Sequence, residues 1–153
     1  MLPTRAMRYR LHASLGYNLS LAARLQERRL DDALKTLGLT RITWCVLLGV
    51  GNEGLEQPSE IANFVGIDRT AASRALRGME EDGLIVRTGG DGDKRTRRVQ
   101  LTAFGQSCID KGTPFAVANN EAMRAKLTAR EHQVLSELLG KLNEGENAEL
   151  STF

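Results

Sequence analysis

Apolar residues along this chain recur mostly at helical spacing. Leu11, Leu15, Leu19 and Ala22 form one stripe that Leu30, Leu34 and Leu37 continue. The pattern predicts one long helix from Arg8 to about Leu37, stopped at Gly38. Leu21 and Leu25 fall off that stripe, so the helix needs more than one packing partner, which points to a dimer. Thr40 is placed to cap a second helix carrying Ile42, Trp44, Val46, Leu47, Leu48 and Val50, which ends in the glycine-rich stretch Gly49 to Gly54. Pro58 suits the first turn of a short third helix, Ser59 to Val65, closed by Gly66. Asp68 then caps a fourth helix that ends at Gly83.

The period changes after Gly83. Leu84 to Arg87 reads as a strand with Leu84 and Val86 on one face, and Gly89-Gly90-Asp91-Gly92 as a turn. Arg97, Val99 and Leu101 alternate against Arg98 and Gln100 on the returning arm, completing a hairpin. Thr102 restarts helix, which Pro114 is expected to break or kink near Gly112. Phe115, Ala118, Ala122 and Met123 resume helical spacing. Thr128 and Glu131 form a capping-box pattern that opens a last helix with Val134, Leu135, Leu138, Leu139 and Leu142. The fold class is therefore mainly α with a small β-hairpin wing. Four segments follow: an N-terminal dimerisation helix (1–38), a winged helix-turn-helix (39–102), C-terminal dimerisation helices (103–143) and a frayed acidic tail (144–153) carrying Glu144, Glu146 and Glu149 without a base.

A short helix, a tight turn at Gly66-Ile67-Asp68, a second helix and a hairpin make a winged helix-turn-helix. On the fourth helix, Ala72, Ala75, Leu76 and Met79 fall on one side, while Thr70, Ser73, Arg74 and Arg77 fall on the other. Small hydroxyls and arginines are what a helix must present to reach base edges and phosphates in a major groove. Arg69 sits nearer the apolar border, within reach of a phosphate from the first turn. The charges oppose the helix dipole, with arginines toward the N-terminus and Glu80, Glu81 and Asp82 in the last turn; an anionic partner at the N-terminal end offsets that cost. In the hairpin, Lys94, Arg95, Arg97 and Arg98 bunch beside the glycine-rich tip, where a long arginine suits a narrow minor groove. Asp93, two residues before Arg95, reads as a brace that aims it.

Composition sharpens this picture without creating it. The 153 residues carry 21 Lys+Arg against 19 Asp+Glu, a near-neutral total of +2. Between Arg69 and Arg98, however, eight bases face five acids, so the local excess exceeds that of the whole chain. Aromatics at 5% argue against a single-strand binder built on base stacking. Two cysteines are too few for a disulfide scaffold, so a cytoplasmic setting is expected. No apolar run approaches a membrane span. The arginines before Glu27 resemble a transit peptide, but they run straight into a helical pattern and read as folded structure.

The stretch Gly66-Ile67-Asp68-Arg69-Thr70 through Gly83-Leu84-Ile85-Val86-Arg87 resembles the recognition helix and first wing strand of the MarR family of bacterial transcription regulators. The run Asp93-Lys94-Arg95-Thr96-Arg97-Arg98-Val99-Gln100-Leu101-Thr102, followed by Gly105, is similar to that family's signature of Asp-x-Arg, then Val-x-Leu-Thr and Gly. The resemblance implies a homodimer bound to a pseudo-palindromic operator, often released by a small aromatic or phenolic acid or by oxidation. Carried over, it places DNA contacts at Thr70, Ser73, Arg74, Arg77 and Arg95, with Asp93 as the wing brace; the charge pattern adds Arg69 and Lys94. It also implies an effector site between the dimer helices and the winged domain, for which Tyr17 and Trp44 are candidate lining residues and Arg41 a candidate carboxylate partner. Ala71 and Ala72 depart from the Thr and Val common in the family, and Gly78 sits unexplained in mid-helix. Cys45 and Cys108, flanked by apolar residues, read as inert core. His12 and His132 are far apart, and no metal-binding spacing, P-loop or nucleophile elbow is present, so neither an enzyme nor a cofactor is expected. The expected function is a ligand-responsive, sequence-specific repressor. A sequence-tolerant architectural DNA binder and a winged-helix protein-interaction module stay open as alternatives.

Overall fold

The computed structural model describes residues 7–89 and 97–151. Six α-helices and one two-stranded antiparallel sheet lie among them: α1 (Leu15–Lys35), α2 (Arg41–Gly51), α3 (Pro58–Val65), α4 (Arg69–Glu81), β1 (Ile85–Thr88), β2 (Arg98–Leu101), α5 (Ala103–Arg124) and α6 (Ala129–Asn143).

Local side-chain chemistry starts most of these helices. The Thr40 and Thr128 side chains each accept a backbone N–H three residues on, and Thr43 and Glu131 return the bond to close capping boxes. Asp68 Oδ1 accepts the Ala71 N–H at 2.7 Å. Thr102 accepts the Gly105 N–H at 3.0 Å, and its hydroxyl donates to the Gly83 and Leu84 carbonyls, tying α5 to the start of the wing. One start differs from expectation. The long first helix begins at Leu15, not Arg8, because Ser14 adopts an extended conformation and accepts the Tyr17 N–H, leaving Leu11–Ala13 as a separate 3-10 turn.

α2 lies at the centre and touches α1, α3, α5 and β2. Leu34, Trp44, Val46, Leu47, Ile61, Leu76, Met79, Ile85, Val99 and Ile109 form the main core, and Ala62, Ile67 and Ala72 form a smaller one beneath the turn between α3 and α4. Across α1 and α5, Asn119 Nδ2 donates to Gln26 Oε1 at 3.2 Å. α6 contributes no buried residue.

Three further expectations are corrected. Pro114 does not break its helix: α5 runs unbroken through it from Ala103 to Arg124. A proline forfeits one ladder bond, while α5 is held by packing on α1 and α2. In β1 the inward residues are Ile85 and the half-buried Arg87, not Leu84 and Val86. Leu84 is buried just before the strand begins, so the pleat is counted from Ile85, which pairs with Leu101. The acidic tail is not frayed throughout, because Leu150 pairs in a parallel bridge with Ile67.

Candidate nucleic-acid interface

Two adjacent conformational features set α4 in place. Gly66 closes α3 at φ +84°, a left-handed conformation that disfavours residues with a Cβ. Ile67 then buries its side chain in the small core, and Asp68 caps the next helix. Ala72, Leu76 and Met79 fix the rotation of α4 by pointing into the protein. The opposite face is therefore committed to solvent. It brings Arg69, Thr70, Ser73, Arg74 and Arg77 together around one open groove of about 430 Å³.

That groove combines three guanidinium groups with two hydroxyls and has no carboxylate among its lining residues. The first turn of α4 contains no acid and its last turn no base, so the positive end of the helix dipole and the arginines add. This is the arrangement an anionic backbone would stabilise, with donors left over for base edges.

The wing is braced against the rest of the domain. Arg87 Nε donates to Glu80 Oε2 at 3.0 Å, joining β1 to the last turn of α4. The same hydrogen bond holds the Glu80 carboxyl below the usual carboxylate range. On the other strand, Val99 N–H donates to the Glu56 carbonyl at 2.9 Å, and the Arg98 guanidinium lies 3.5 Å from the Glu56 carboxylate. Two arginines that looked like free positive charge in the sequence thus face protein carboxylates. The signal was faint, since the partners lie seven and forty-two residues away along the chain. Asp93, Lys94 and Arg95 lie outside the described residues.

The three candidate effector residues have different surroundings. Trp44 is only 3% exposed, and Gly112 of α5 lies so close that a Cβ there would stand 2.5 Å from the Trp44 ring. Tyr17 stacks on His12, with ring centroids 4.8 Å apart. Arg41 alone borders a cleft of about 480 Å³, beside Asp31, Lys35, Leu39, Thr40 and Ile42. Its guanidinium already holds Asp31 at 2.7 Å and Glu27 at 3.0 Å, so its charge is largely matched from within the protein. Glu27 and Asp31 are four residues apart on α1, a spacing that could have flagged them as one acidic face. Burial raises the thiol pKa of both Cys45 and Cys108, which keeps them protonated and poorly nucleophilic at neutral pH.

Residues 37–96 match the sequence model of the MarR family. This winged helix is similar to those of the MarR family. The MarR architecture also extends well beyond that segment. Bordetella bronchiseptica BpsR, from work on how 6-hydroxynicotinic acid regulates its DNA binding, superposes at a TM-score of 0.81. That match covers 92% of this chain and 100% of BpsR at 18% identity, and so speaks for the fold alone. A mutant E. coli MarR solved with operator DNA aligns at a TM-score of 0.75 and 25% identity, over 84% of this chain and 92% of that one. A MarR family protein of Mycobacterium tuberculosis in complex with salicylic acid aligns at 0.62 and 27% identity, covering 85% and 96%. No described helix of this MarR-like chain is long and apolar enough to cross a membrane.

Proposed function

We propose that this MarR-like chain is a ligand-responsive transcription repressor that binds a pseudo-palindromic duplex operator as a homodimer. The observation that carries the reading is the α4 groove, where every lining side chain is a cation or a hydroxyl and the opposite face is locked into the core. Arg74 and Arg77 project from mid-helix toward base edges, with Thr70 and Ser73 beside them, and Arg69 takes a phosphate at the helix start. Lys94 and Arg95 supply the wing contact. Two copies related by a two-fold axis would set their recognition helices about 34–36 Å apart, one turn of duplex.

The dimer reading is supported by apolar side chains left uncovered at both ends of the chain. Leu11, Leu15, Leu19 and Leu25 are exposed near the N-terminus, as are Leu135, Leu138, Leu139 and Leu142 on α6. Exposed leucines repeating at helical spacing mark a surface that buries against another helix. For the effector, the salicylic acid bound by the Mycobacterium tuberculosis protein suggests a small aromatic acid. The cleft between α1 and the start of α2, which Lys35 lines and where Arg41 would have to exchange Asp31 or Glu27 for the ligand's carboxylate, is the place to look for it.

Selection of bound sequences from random duplex DNA tests the reading directly. An inverted repeat should be enriched, and its affinity should exceed that of random duplex about 10³-fold or more. Arg74→Ala should weaken binding by about 1–3 kcal/mol and relax preference at one position of each half-site. Enrichment of no motif would leave sequence-specific regulation without support.

A further inference from the structure

Beyond α6 the chain turns back on its own reading head. Gly145, at φ +74°, redirects the backbone, and Asn147 Oδ1 accepts the Glu149 N–H at 2.9 Å in a local turn. Leu150 then pairs with the turn of the helix-turn-helix. Its N–H donates to the Gly66 carbonyl at 3.2 Å, and its carbonyl accepts the Asp68 N–H at 2.9 Å. The attachment is made by backbone, since the Leu150 side chain remains exposed.

The place of contact matters. Asp68 is the N-cap of α4, and the very next residue, Arg69, opens the basic groove. From residue 144 onward the sequence contains Glu144, Glu146 and Glu149 and no Lys or Arg. The bridge therefore draws a segment whose charged side chains are all acidic to a helix end whose dipole and arginines favour an anion. Glu149, one residue from the bridge, and the glutamates before it oppose an incoming phosphate there, most strongly at low salt. Two backbone bonds with little apolar burial form an attachment that opens at low cost.

We propose that the C-terminal tail is an autoinhibitory strap. Leu150 pins it across the helix-turn-helix turn, and its glutamates lower the affinity of α4 for duplex DNA until the strap is released. The idea rests on the DNA-binding reading above.

Two full-length variants separate charge from pinning. The triple variant Glu144→Gln, Glu146→Gln and Glu149→Gln removes the charge and keeps the backbone bonds. Leu150→Pro keeps the charge and removes the N–H that bonds Gly66. Binding to a fluorescently labelled random-sequence duplex is measured by anisotropy at low and high salt, with amide exchange at Asp68 reporting release. Both variants should bind about three- to tenfold more tightly at low salt, with the advantage shrinking at high salt as electrostatic binding is screened. Leu150→Pro should also speed exchange of the Asp68 amide. Unchanged or weaker binding by both variants overturns the strap while leaving DNA binding intact. Tightening by the triple variant alone, with Asp68 released in Leu150→Pro, overturns the pinning. A parent protein that binds no duplex at any salt concentration overturns the DNA-binding reading and the strap with it.

Discussion

Gly78 and Gly112 both lie inside helices, and a methyl group would do opposite things at the two positions. At Gly112 an added Cβ would stand 2.5 Å from Cζ3 of Trp44, a buried ring with no room to retreat. Gly112→Ala should therefore destabilise the fold by about 1–3 kcal/mol through overpacking, read as a lower denaturant midpoint. At Gly78 nothing lies within 4 Å of the added atom and the backbone is helical. Gly78→Ala should stabilise by about 0.5–1 kcal/mol, since alanine loses less entropy in a helix. A loss of stability there would mean that the α4 surface is covered by something other than solvent. Gly105 has a packing reason of its own, because a Cβ would overlap the Leu84 carbonyl where α5 meets the wing. The sequence marks all three as glycines. Only the distances to Trp44 and to the Leu84 carbonyl distinguish the required ones from the dispensable one.

Helix starts were the most legible features of the elements, because a cap is chemistry between residues three apart. Thr40, Asp68 and Thr128 cap as their spacing predicts and Thr102 caps the helix expected to restart there, whereas the Ser14 cap of α1 was missed. The polar face of α4 was legible for the same reason, since helical period alone separates Arg74 and Arg77 from Leu76 and Met79. What joins one element to the next was not. The wing is coupled to α4 by the Arg87–Glu80 bond, which spans a turn and a change of period. This bond depresses the Glu80 pKa, so its contribution is present above the ordinary carboxylate pKa and is lost as pH falls through the depressed value. An NMR titration should place the Glu80 carboxyl midpoint below that of a free glutamate, and Arg87→Ala should return it toward the ordinary value. An ordinary midpoint in the unmodified protein would remove the brace from the description of the wing.

The described residues leave uncovered both the basic groove of α4 and the leucines of the N-terminal region and α6. α6 buries nothing in this single chain, although its four leucines repeat at i, i+3, i+4 and i+7. The double substitution Leu138→Glu and Leu142→Glu should give a monomer in sedimentation at micromolar concentration while the winged helix stays folded. A dimer that survives these charges would place the interface elsewhere. Periodicity, caps and turn residues, all acting between near neighbours, sufficed to determine the order of elements, the helix-turn-helix and its cationic face. Contacts between distant residues decided the rest. Trp44 became core because Gly112 approaches it, and Arg41 became an ion-pair centre because α1 places Glu27 and Asp31 beside it. Leu150 joined the helix-turn-helix because the chain beyond α6 returns to Gly66. A sequence pattern records which face of a helix is apolar, but the identity of the group that meets that face depends on chain paths that only the folded structure sets.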